Sequence, residues 1–152
     1  MTDKINMSRI NALLDREEIR ALRLRYSQLL DGNQADRMDE IFTEDAEVRV
    51  TVGVMKGLAE IKKSLKEAYQ TFDTKQRSHF PFMHAVSNHE ITLIDERTAS
   101  GSCYLLDLVT DRDATQHPFL LLGRYLDRYV RVQGQWRIAS STLDVLWPES
   151  AN

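Results

Sequence analysis

The fold of this chain is decided by the segment FLLLGRYLDRYVRV (Phe119–Val132), the dipeptide Gln133-Gly134 and the segment QWRIASSTLDVL (Gln135–Leu146). Both segments have the alternation and the aromatic and β-branched content of strands, and a glycine-containing dipeptide between strands is typical of a tight turn. Two more strand patterns precede them, at His84–Ile94 and Thr98–Thr110. The last three strands are joined by short polar turns, so they are predicted to form an antiparallel meander.

The first half of the chain carries helical patterns and one strand. Apolar residues at three- and four-residue spacing predict a helix over Ile10–Asp31 and another over Leu58–Phe72. A shorter helix is expected over Arg37–Phe42, because Asp36 is a suitable N-cap residue. The alternating, β-branched segment Ala46–Val52 predicts a strand.

This order of elements indicates an α+β fold. Strands of a dozen residues are long, and long strands in a strongly twisted sheet tend to curl. We therefore predict a cone-shaped, barrel-like fold in which three N-terminal helices cover a curved, mostly antiparallel sheet around a pocket. The chain of 152 residues is expected to form one domain, 1–152, with its core at about 10–147.

The first predicted helix has two distinct faces. Its apolar face is formed by Ile19, Leu22, Tyr26, Leu29 and Leu30. Its charged residues are expected to cover the other faces, and they are Arg16, Glu17, Arg20 and Arg23. Tyr26 is therefore expected inside, either as a core aromatic residue or as a proton donor in a pocket.

Composition and charge exclude some classes of function. The net charge of −3 gives no electrostatic reason to expect nucleic acid, because the phosphate backbone selects basic surfaces. No segment approaches the roughly 20 apolar residues of a membrane span, and the N-terminus lacks the apolar run of a signal peptide. The single cysteine, Cys103, rules out an internal disulfide. We therefore expect a cytoplasmic protein that binds neither nucleic acid nor membrane.

Three residues form a minimal set for proton transfer without a metal, and they are the candidate catalytic residues. Asp31 ends the first predicted helix, and His84 begins a strand. An aspartate that holds one imidazole nitrogen leaves the other free to accept a proton, and Tyr26 can donate one. The alternatives are structural: Asp31 as a solvated turn residue, and His84 as a histidine packed among apolar neighbours.

Three further residues are candidates for substrate binding. Asp107 lies in the middle of an apolar strand, where a carboxylate needs a partner or faces a cavity, unless it faces solvent near the strand end. Asn88 is expected two pleats from His84 on the same face of its strand. Trp147 is expected to pack in the core or to border the mouth of a pocket.

No metal and no cofactor are expected. His79, His89 and His117 do not share the i, i+4 spacing of helical ligands, and the sequence contains no recognisable facial triad.

Four segments are informative in combination. They are Tyr26 to Asp31 with Ile41–Ala46, then Lys56–Ile61, then His84–Asn88, and finally Gly123–Tyr129 with Gly134–Ile138. In this order and at these separations they resemble the SnoaL-like branch of the nuclear transport factor 2-like superfamily. The resemblance spans about residues 10–147 and implies the cone-shaped fold.

The resemblance also implies roles for individual residues. The branch includes scytalone dehydratase, bile acid dehydratase, a dehydrochlorinase, polyketide cyclases and the small subunits of ring-hydroxylating dioxygenases. Asp31 and His84 match the Asp–His dyad of its lyases, and Tyr26 matches the tyrosine that the bile acid enzyme uses. Several of these lyases carry an arginine where this chain has Ser141, which argues against a direct copy of the dehydrochlorinase or the bile acid enzyme.

We expect a cofactor-free lyase of the dehydratase type, or an isomerase, that acts on a hydrophobic, oxygenated small molecule. The alternatives are a polyketide cyclase and a non-catalytic binding module similar to the dioxygenase small subunits. Contact between Asp31 and His84, with an apolar pocket of ~300 Å³ or more beside them, would favour the enzyme. The resemblance further implies a homodimer or homotrimer formed through the open sheet.

Overall fold

The computed structural model describes residues 6–149 and contains a curved, six-stranded sheet that does not close into a barrel. The strands are β1 (Phe42–Val50), β2 (Gly53–Lys56), β3 (Phe82–Leu93), β4 (Thr98–Val109), β5 (Phe119–Val132) and β6 (Gln135–Trp147). Their order across the sheet is β2-β1-β6-β5-β4-β3, in which β1 and β6 are parallel and the other neighbours antiparallel. The predicted α+β class and the antiparallel meander are therefore confirmed.

Two α-helices and one 3-10 helix pack on this sheet. Helix α1 spans Met7–Asp31, the 3-10 helix spans Ala35–Glu40, and α2 spans Leu58–Phe72. The short second helix predicted over Arg37–Phe42 is present as this 3-10 helix and ends two residues earlier, because a connector this short forms the tighter 3-10 turn. Among the helices of residues 6–149, none is long and apolar enough to cross a membrane.

The predicted strand Ala46–Val52 is part of a hairpin that the sequence did not reveal. Strand β1 begins earlier, at Phe42, and the chain turns after Val50 into β2. Gly53 has a φ angle of 125°, which side chains other than glycine rarely tolerate, so this residue permits the turn. The hairpin places residues 50–52 beside an interior cavity.

The core lies between the helices and the inner face of the sheet. Helix α1 buries Ile19 and Leu29, α2 buries Ile61, and the sheet contributes Leu105 and Ile138. Each such side chain stabilises the fold by about 1.5–3 kcal/mol on burial. The apolar stripes predicted for the two long helices are therefore confirmed.

One charged residue of α1 lies in this interior instead of on an outer face. Arg23 is 1% exposed, and its Nε atom lies 3.6 Å from Asp127 Oδ2 on β5. The i, i+3 spacing from Arg23 to Tyr26 puts both on the face that packs on the sheet. The prediction that Arg23 covers an outer face is wrong, because the packing of α1 on the sheet turns this residue toward Asp127 on β5.

A β-bulge in β3 changes which side chains face inward. The register between β3 and β4 shifts between Ser87 and Glu90, and Asn88 adopts a left-handed φ of 52°. Asn88 is exposed, whereas His89 is partly buried, with Nε2 3.1 Å from the Tyr129 hydroxyl. The expectation that Asn88 shares the face of His84 is therefore wrong, because one extra residue reverses the alternation.

Candidate active site

Asp31 and His84 are in direct contact. Asp31 is the last residue of α1, His84 lies near the start of β3, and these two elements pack against each other. His84 Nδ1 lies 2.6 Å from Asp31 Oδ1, and the backbone N–H of His84 donates to Asp31 Oδ2 at 2.9 Å. The backbone N–H of Phe80 donates to the Asp31 carbonyl at 3.0 Å, which fixes the chain just before the strand. The predicted contact between Asp31 and His84 is confirmed.

This geometry selects one tautomer of His84. A carboxylate can only accept hydrogen bonds, so Nδ1 carries a proton that it donates to Asp31, and Nε2 of the neutral ring carries none. The His84 side chain is 11% exposed, and Phe82 packs against its ring with centroids 5.0 Å apart. A free Nε2 in this position can accept a proton from a bound molecule.

Asp107 faces the interior on the neighbouring strand. It stands opposite His84 in the β3–β4 register and is 7% exposed, so the alternative of a solvent-facing residue is excluded. Burial raises the pKa of the Asp107 carboxyl, an effect that His84 opposes and Asp31 reinforces. Asp107 Oδ2 lies 3.8 Å from His84 Nε2, too far for a hydrogen bond between them, but one ligand oxygen can reach both. The two groups therefore converge on one point, and the raised pKa of Asp107 shifts its carboxyl toward the protonated form that can donate a hydrogen bond there.

Tyr26 lines the same cavity and is 3% exposed. Burial raises the pKa of its phenol to about 12, although the nearby Arg23 acts in the opposite direction. The phenol therefore keeps its proton at neutral pH and can donate a hydrogen bond to an oxygen of a ligand. The sequence expectation that Tyr26 is an interior residue is confirmed.

The cavity beside His84 has a volume of about 70 Å³. Its polar lining comes from Tyr26, His84, Asp107, Tyr125 and Thr51, and its apolar lining includes Leu30, Leu65, Phe72, Phe82, Leu105 and Leu143. The volume is below the ~300 Å³ that we expected of an enzyme pocket. A ligand with a ring therefore requires movement at the mouth, where the exposed Thr51 and Val52 form the β1–β2 turn.

Two of the predicted substrate-binding residues lie away from this cavity. Asn88 is exposed in the bulge of β3. Trp147, at the end of β6, is 43% exposed and packs against the His117 ring at 6.1 Å. Neither Asn88 nor Trp147 lines the cavity, whereas Tyr26 and Asp107 do.

Sequence reasoning missed a second group of buried polar residues next to the cavity. Tyr125 lines the cavity and is 2% exposed. The guanidinium carbon of Arg23 lies 3.5 Å from the Tyr125 ring centre and 4.7 Å from that of Tyr26. The alternation of β5 contained a signal for this cluster, because it puts Tyr125, Asp127 and Tyr129 on one face, and an inward aspartate indicates a buried partner.

Ser141 is part of the wall behind this group. It is 2% exposed and stands opposite Asp127 in the β5–β6 register. The positive charge near Asp127 therefore comes from Arg23 of α1 and not from the position of Ser141 on β6.

The described residues provide no arrangement suited to a metal ion. Within residues 6–149, no group of three or more His, Cys, Asp or Glu side chains could hold one. His84 uses Nδ1 for Asp31, and His89 faces Tyr129, so neither ring is part of a converging ligand set.

The sequence pattern that defines the SnoaL-like domain matches residues 11–142. This protein belongs to the SnoaL-like family. The family therefore agrees with the resemblance drawn from the sequence, and the match covers both Asp31 and His84.

Solved structures also resemble this SnoaL-like domain. A nuclear transport factor 2-like protein with a cystatin-like fold from Novosphingobium aromaticivorans is 23% identical, over 99% of this chain and 94% of its own, with a TM-score of 0.81. A protein of the same organism, described provisionally as a scytalone dehydratase, is 26% identical, over 93% of this chain and 92% of its own, with a TM-score of 0.74. Aln2 from a Streptomyces species is 22% identical, over 86% of this chain and 89% of its own, with a TM-score of 0.70. These likenesses support the α+β fold of the SnoaL-like domain.

Proposed function

We propose that this SnoaL-like protein is a cofactor-free lyase of the dehydratase type, or an isomerase, acting on a hydrophobic, oxygenated small molecule. The observation that carries the proposal is the Asp31–His84 pair, in which the carboxylate engages Nδ1 of a histidine that lines the cavity. An aspartate used in this way orients a histidine as a general base and stabilises the imidazolium that forms. The likeness to the protein described provisionally as a scytalone dehydratase supports the same class of reaction.

In the proposed reaction, each polar group handles one proton or one oxygen. His84 Nε2 removes a proton from the carbon next to a carbonyl, and Asp31 balances the charge of the resulting imidazolium. The electrons of that C–H bond first move onto the carbonyl oxygen and form an enolate. They then return to form a C=C bond as the C–O bond to the leaving hydroxyl breaks. The hydroxyl takes a proton from Asp107 or Tyr26 and departs as water, and the proton on His84 then restores the donor. Each well-placed acid or base contributes about 10²–10⁴-fold to such a reaction.

The lining of the cavity favours an uncharged substrate. Its walls are mostly apolar, and no lysine or arginine belongs to the lining among residues 6–149. A carboxylate or phosphate on the substrate would be placed near Asp107 without a cation in direct contact. We therefore propose a neutral ketone or phenol that carries a hydroxyl group.

One observation favours a second candidate, the non-catalytic binding module. The cavity of about 70 Å³ is small for a substrate with a ring, and a domain with a structural role needs no larger one. A polyketide cyclase would use the same three groups on another substrate, so it differs from the first proposal in substrate alone.

The test is a screen of hydroxylated ketones and polyketide-like phenols for elimination, followed by the absorbance of the conjugated product. On a substrate so found, His84→Ala is expected to abolish turnover, Asp31→Asn to reduce it almost as far, and Tyr26→Phe to reduce it less, because water can replace a hydroxyl donor. His117→Ala is the matched control, since it removes an exposed histidine outside the cavity. Full activity of His84→Ala would refute the mechanism, and ligand binding without turnover across the screen would favour the binding module.

Location and assembly belong to the same proposal. We propose a cytoplasmic protein whose partner is a small hydrophobic molecule and which forms a homodimer or homotrimer through the sheet. Sedimentation equilibrium is expected to give two or three times the mass of the chain, and a monomer at micromolar concentration would refute this assembly.

A further inference from the structure

Arg23 is buried without the hydrogen bonds that normally accompany a buried charge. Its side chain is 1% exposed, and none of its three guanidinium nitrogens has a hydrogen-bond partner among residues 6–149. Asp127 lies 3.6 Å from Nε, and Asp127 accepts its hydrogen bond from the Tyr129 hydroxyl at 2.8 Å. A buried ion pair of this geometry adds little to stability, because the loss of hydration outweighs the attraction. Stability alone therefore does not account for a cation at this place.

Besides Asp127, Arg23 contacts two cavity-lining tyrosines. Its guanidinium carbon lies 3.5 Å from the centre of the Tyr125 ring and 4.7 Å from that of Tyr26. The two rings meet edge-on, with centroids 6.3 Å apart. Contacts of this kind hold both rings and put a positive charge directly behind them. Burial raises the pKa of Tyr26, and Arg23 acts to lower it. The lowering is what we expect of a cation that favours negative charge on a nearby oxygen.

We propose that Arg23 is a positioning residue that holds Tyr26 and Tyr125 and makes their end of the cavity a subsite for an anionic oxygen. The ligand chemistry that fits is the oxygen of an enolate or a phenolate, which accepts hydrogen bonds from the phenols while Arg23 supplies the charge. This inference rests on the proposed function and narrows its substrate class to molecules whose carbonyl or phenol oxygen gains negative charge when His84 removes a proton.

The other charged groups near Arg23 leave this role to it. Asp127 is paired with Arg23 and Tyr129, and Asp31 and Asp107 lie beside His84. Burial lowers the pKa of His89 and raises the pKa of Cys103, so both are neutral near pH 7. In this cluster Arg23 is thus the positive charge that contacts the two phenols.

The probe for this subsite is 4-nitrophenol, whose anion absorbs visible light and whose neutral form does not. The absorbance of the bound probe therefore gives its ionised fraction, and the measurement needs no turnover. The first comparison is between the wild type and R23M/D127N, which removes both charges and leaves neither one buried alone. At a fixed pH, the ratio of ionised to neutral bound probe is expected to be roughly tenfold higher in the wild type, the order of size for a unit charge close to a partly buried anion. Arg23→Lys keeps the charge and is expected to restore most of the ratio, and Tyr129→Phe, the matched control in the same cluster, is expected to leave it near the wild-type value.

A thermal melt separates this role from a structural one. R23M/D127N is expected to melt at or above the temperature of the wild type, since apolar or neutral replacements of buried ion pairs are often neutral or stabilising. Tyr125→Phe removes one phenol and keeps the ring, and it too is expected to lower the ionised fraction. An ionised fraction in Tyr125→Phe equal to that of the wild type overturns the proposal even if the double variant does not fold.

The outcomes also separate this inference from the proposed function. Equal ionisation of bound probe in the wild type and R23M/D127N overturns the role of Arg23, and turnover that depends on His84 would still support the lyase. If 4-nitrophenol does not bind the wild type, the proposed subsite is overturned, whereas His84-dependent turnover in the substrate screen would still support the lyase.

Discussion

Replacement of Asp31 by asparagine is expected to change the tautomer of His84 rather than its position. Asp31 accepts two hydrogen bonds, one from the backbone N–H of His84 at 2.9 Å and one at its ring Nδ1 at 2.6 Å. Asparagine has one oxygen and one NH₂ group, and the backbone N–H can only donate, so the amide oxygen must face it. The NH₂ group then faces Nδ1, which must become the acceptor. The ring proton moves to Nε2 and blocks proton abstraction.

The two hydrogen bonds set the expected loss of stability in Asp31→Asn, and the tautomer sets the expected loss of kcat. A hydrogen bond to a charged group contributes about 1.5–3 kcal/mol, and the amide keeps both contacts in a neutral form, so we expect the free energy of unfolding to fall by about 1–3 kcal/mol. The wrong tautomer lowers kcat about 10⁴-fold when the aspartate of a serine protease triad is replaced by asparagine. We expect a loss of about 10³–10⁴-fold in kcat here.

Nitrogen-15 NMR of the imidazole measures the tautomer directly and needs no substrate. The wild type is expected to show the proton on Nδ1, and Asp31→Asn is expected to show it on Nε2. Asp144→Asn is the matched control, because Asp144 is a partly exposed aspartate on β6 that pairs with Arg124 at 3.3 Å. An Asp31→Asn variant with the proton still on Nδ1 would refute the reasoning about the tautomer, and so would a kcat within threefold of the wild type.

Three further variants test the surroundings of the site. Because the pKa of Asp107 is raised in the folded protein, the unfolded chain loses this proton at a lower pH, near the ordinary aspartate pKa of about 3.9. The free energy of unfolding of the wild type should therefore fall relative to that of Asp107→Asn as pH rises above about 4. Urea unfolding from about pH 3.5 to about pH 7.5, a range that includes this ordinary value, measures the difference, and a difference independent of pH would contradict it. Gly101→Ala would put a Cβ atom 2.8 Å from the Glu90 carbonyl oxygen, at the end of the β3 bulge. We expect this clash to lower the free energy of unfolding, measured in urea, by about 1–3 kcal/mol. An unchanged free energy of unfolding would show that the two strands move apart freely. Ala68→Leu should fill the cavity and abolish binding of 4-nitrophenol while the His84 NMR signals stay unchanged, and binding as tight as in the wild type would show that the probe binds elsewhere.

The sequence predicts well where one local pattern runs without interruption. The bounds expected for Leu58–Phe72 and Phe119–Val132 coincide with α2 and β5, because each segment keeps one hydrophobic period from end to end. The contact between Asp31 and His84 was expected from a combination of chemistry and resemblance. It needs the long-range packing of α1 on β3, which no local pattern contains.

The features that escaped prediction depend on such long-range packing. The alternation of β3 puts Asn88 on the inner face, and only the bulge between Ser87 and Glu90 turns it outward. Arg23 looks like a surface residue of a helix until Asp127 and Tyr125, on a distant strand, are brought against it. The volume of the cavity likewise depends on how side chains from α2, β1 and β5 meet, which the order of residues does not reveal.

The central claim is that Nε2 of His84 moves a proton of a bound molecule. The most direct measurement is deuterium uptake in heavy water by a ketone that lacks the leaving hydroxyl and so cannot complete the elimination. Mass spectrometry measures the exchange of the proton next to the carbonyl. We expect catalysed exchange by the wild type and by His117→Ala, and exchange at the uncatalysed rate with His84→Ala. Asp31→Asn is expected to exchange the proton more slowly than the wild type by about 10³-fold or more. Exchange by His84→Ala as fast as by the wild type, or no exchange of a ketone shown by NMR to bind in the cavity of the wild type, would contradict the account.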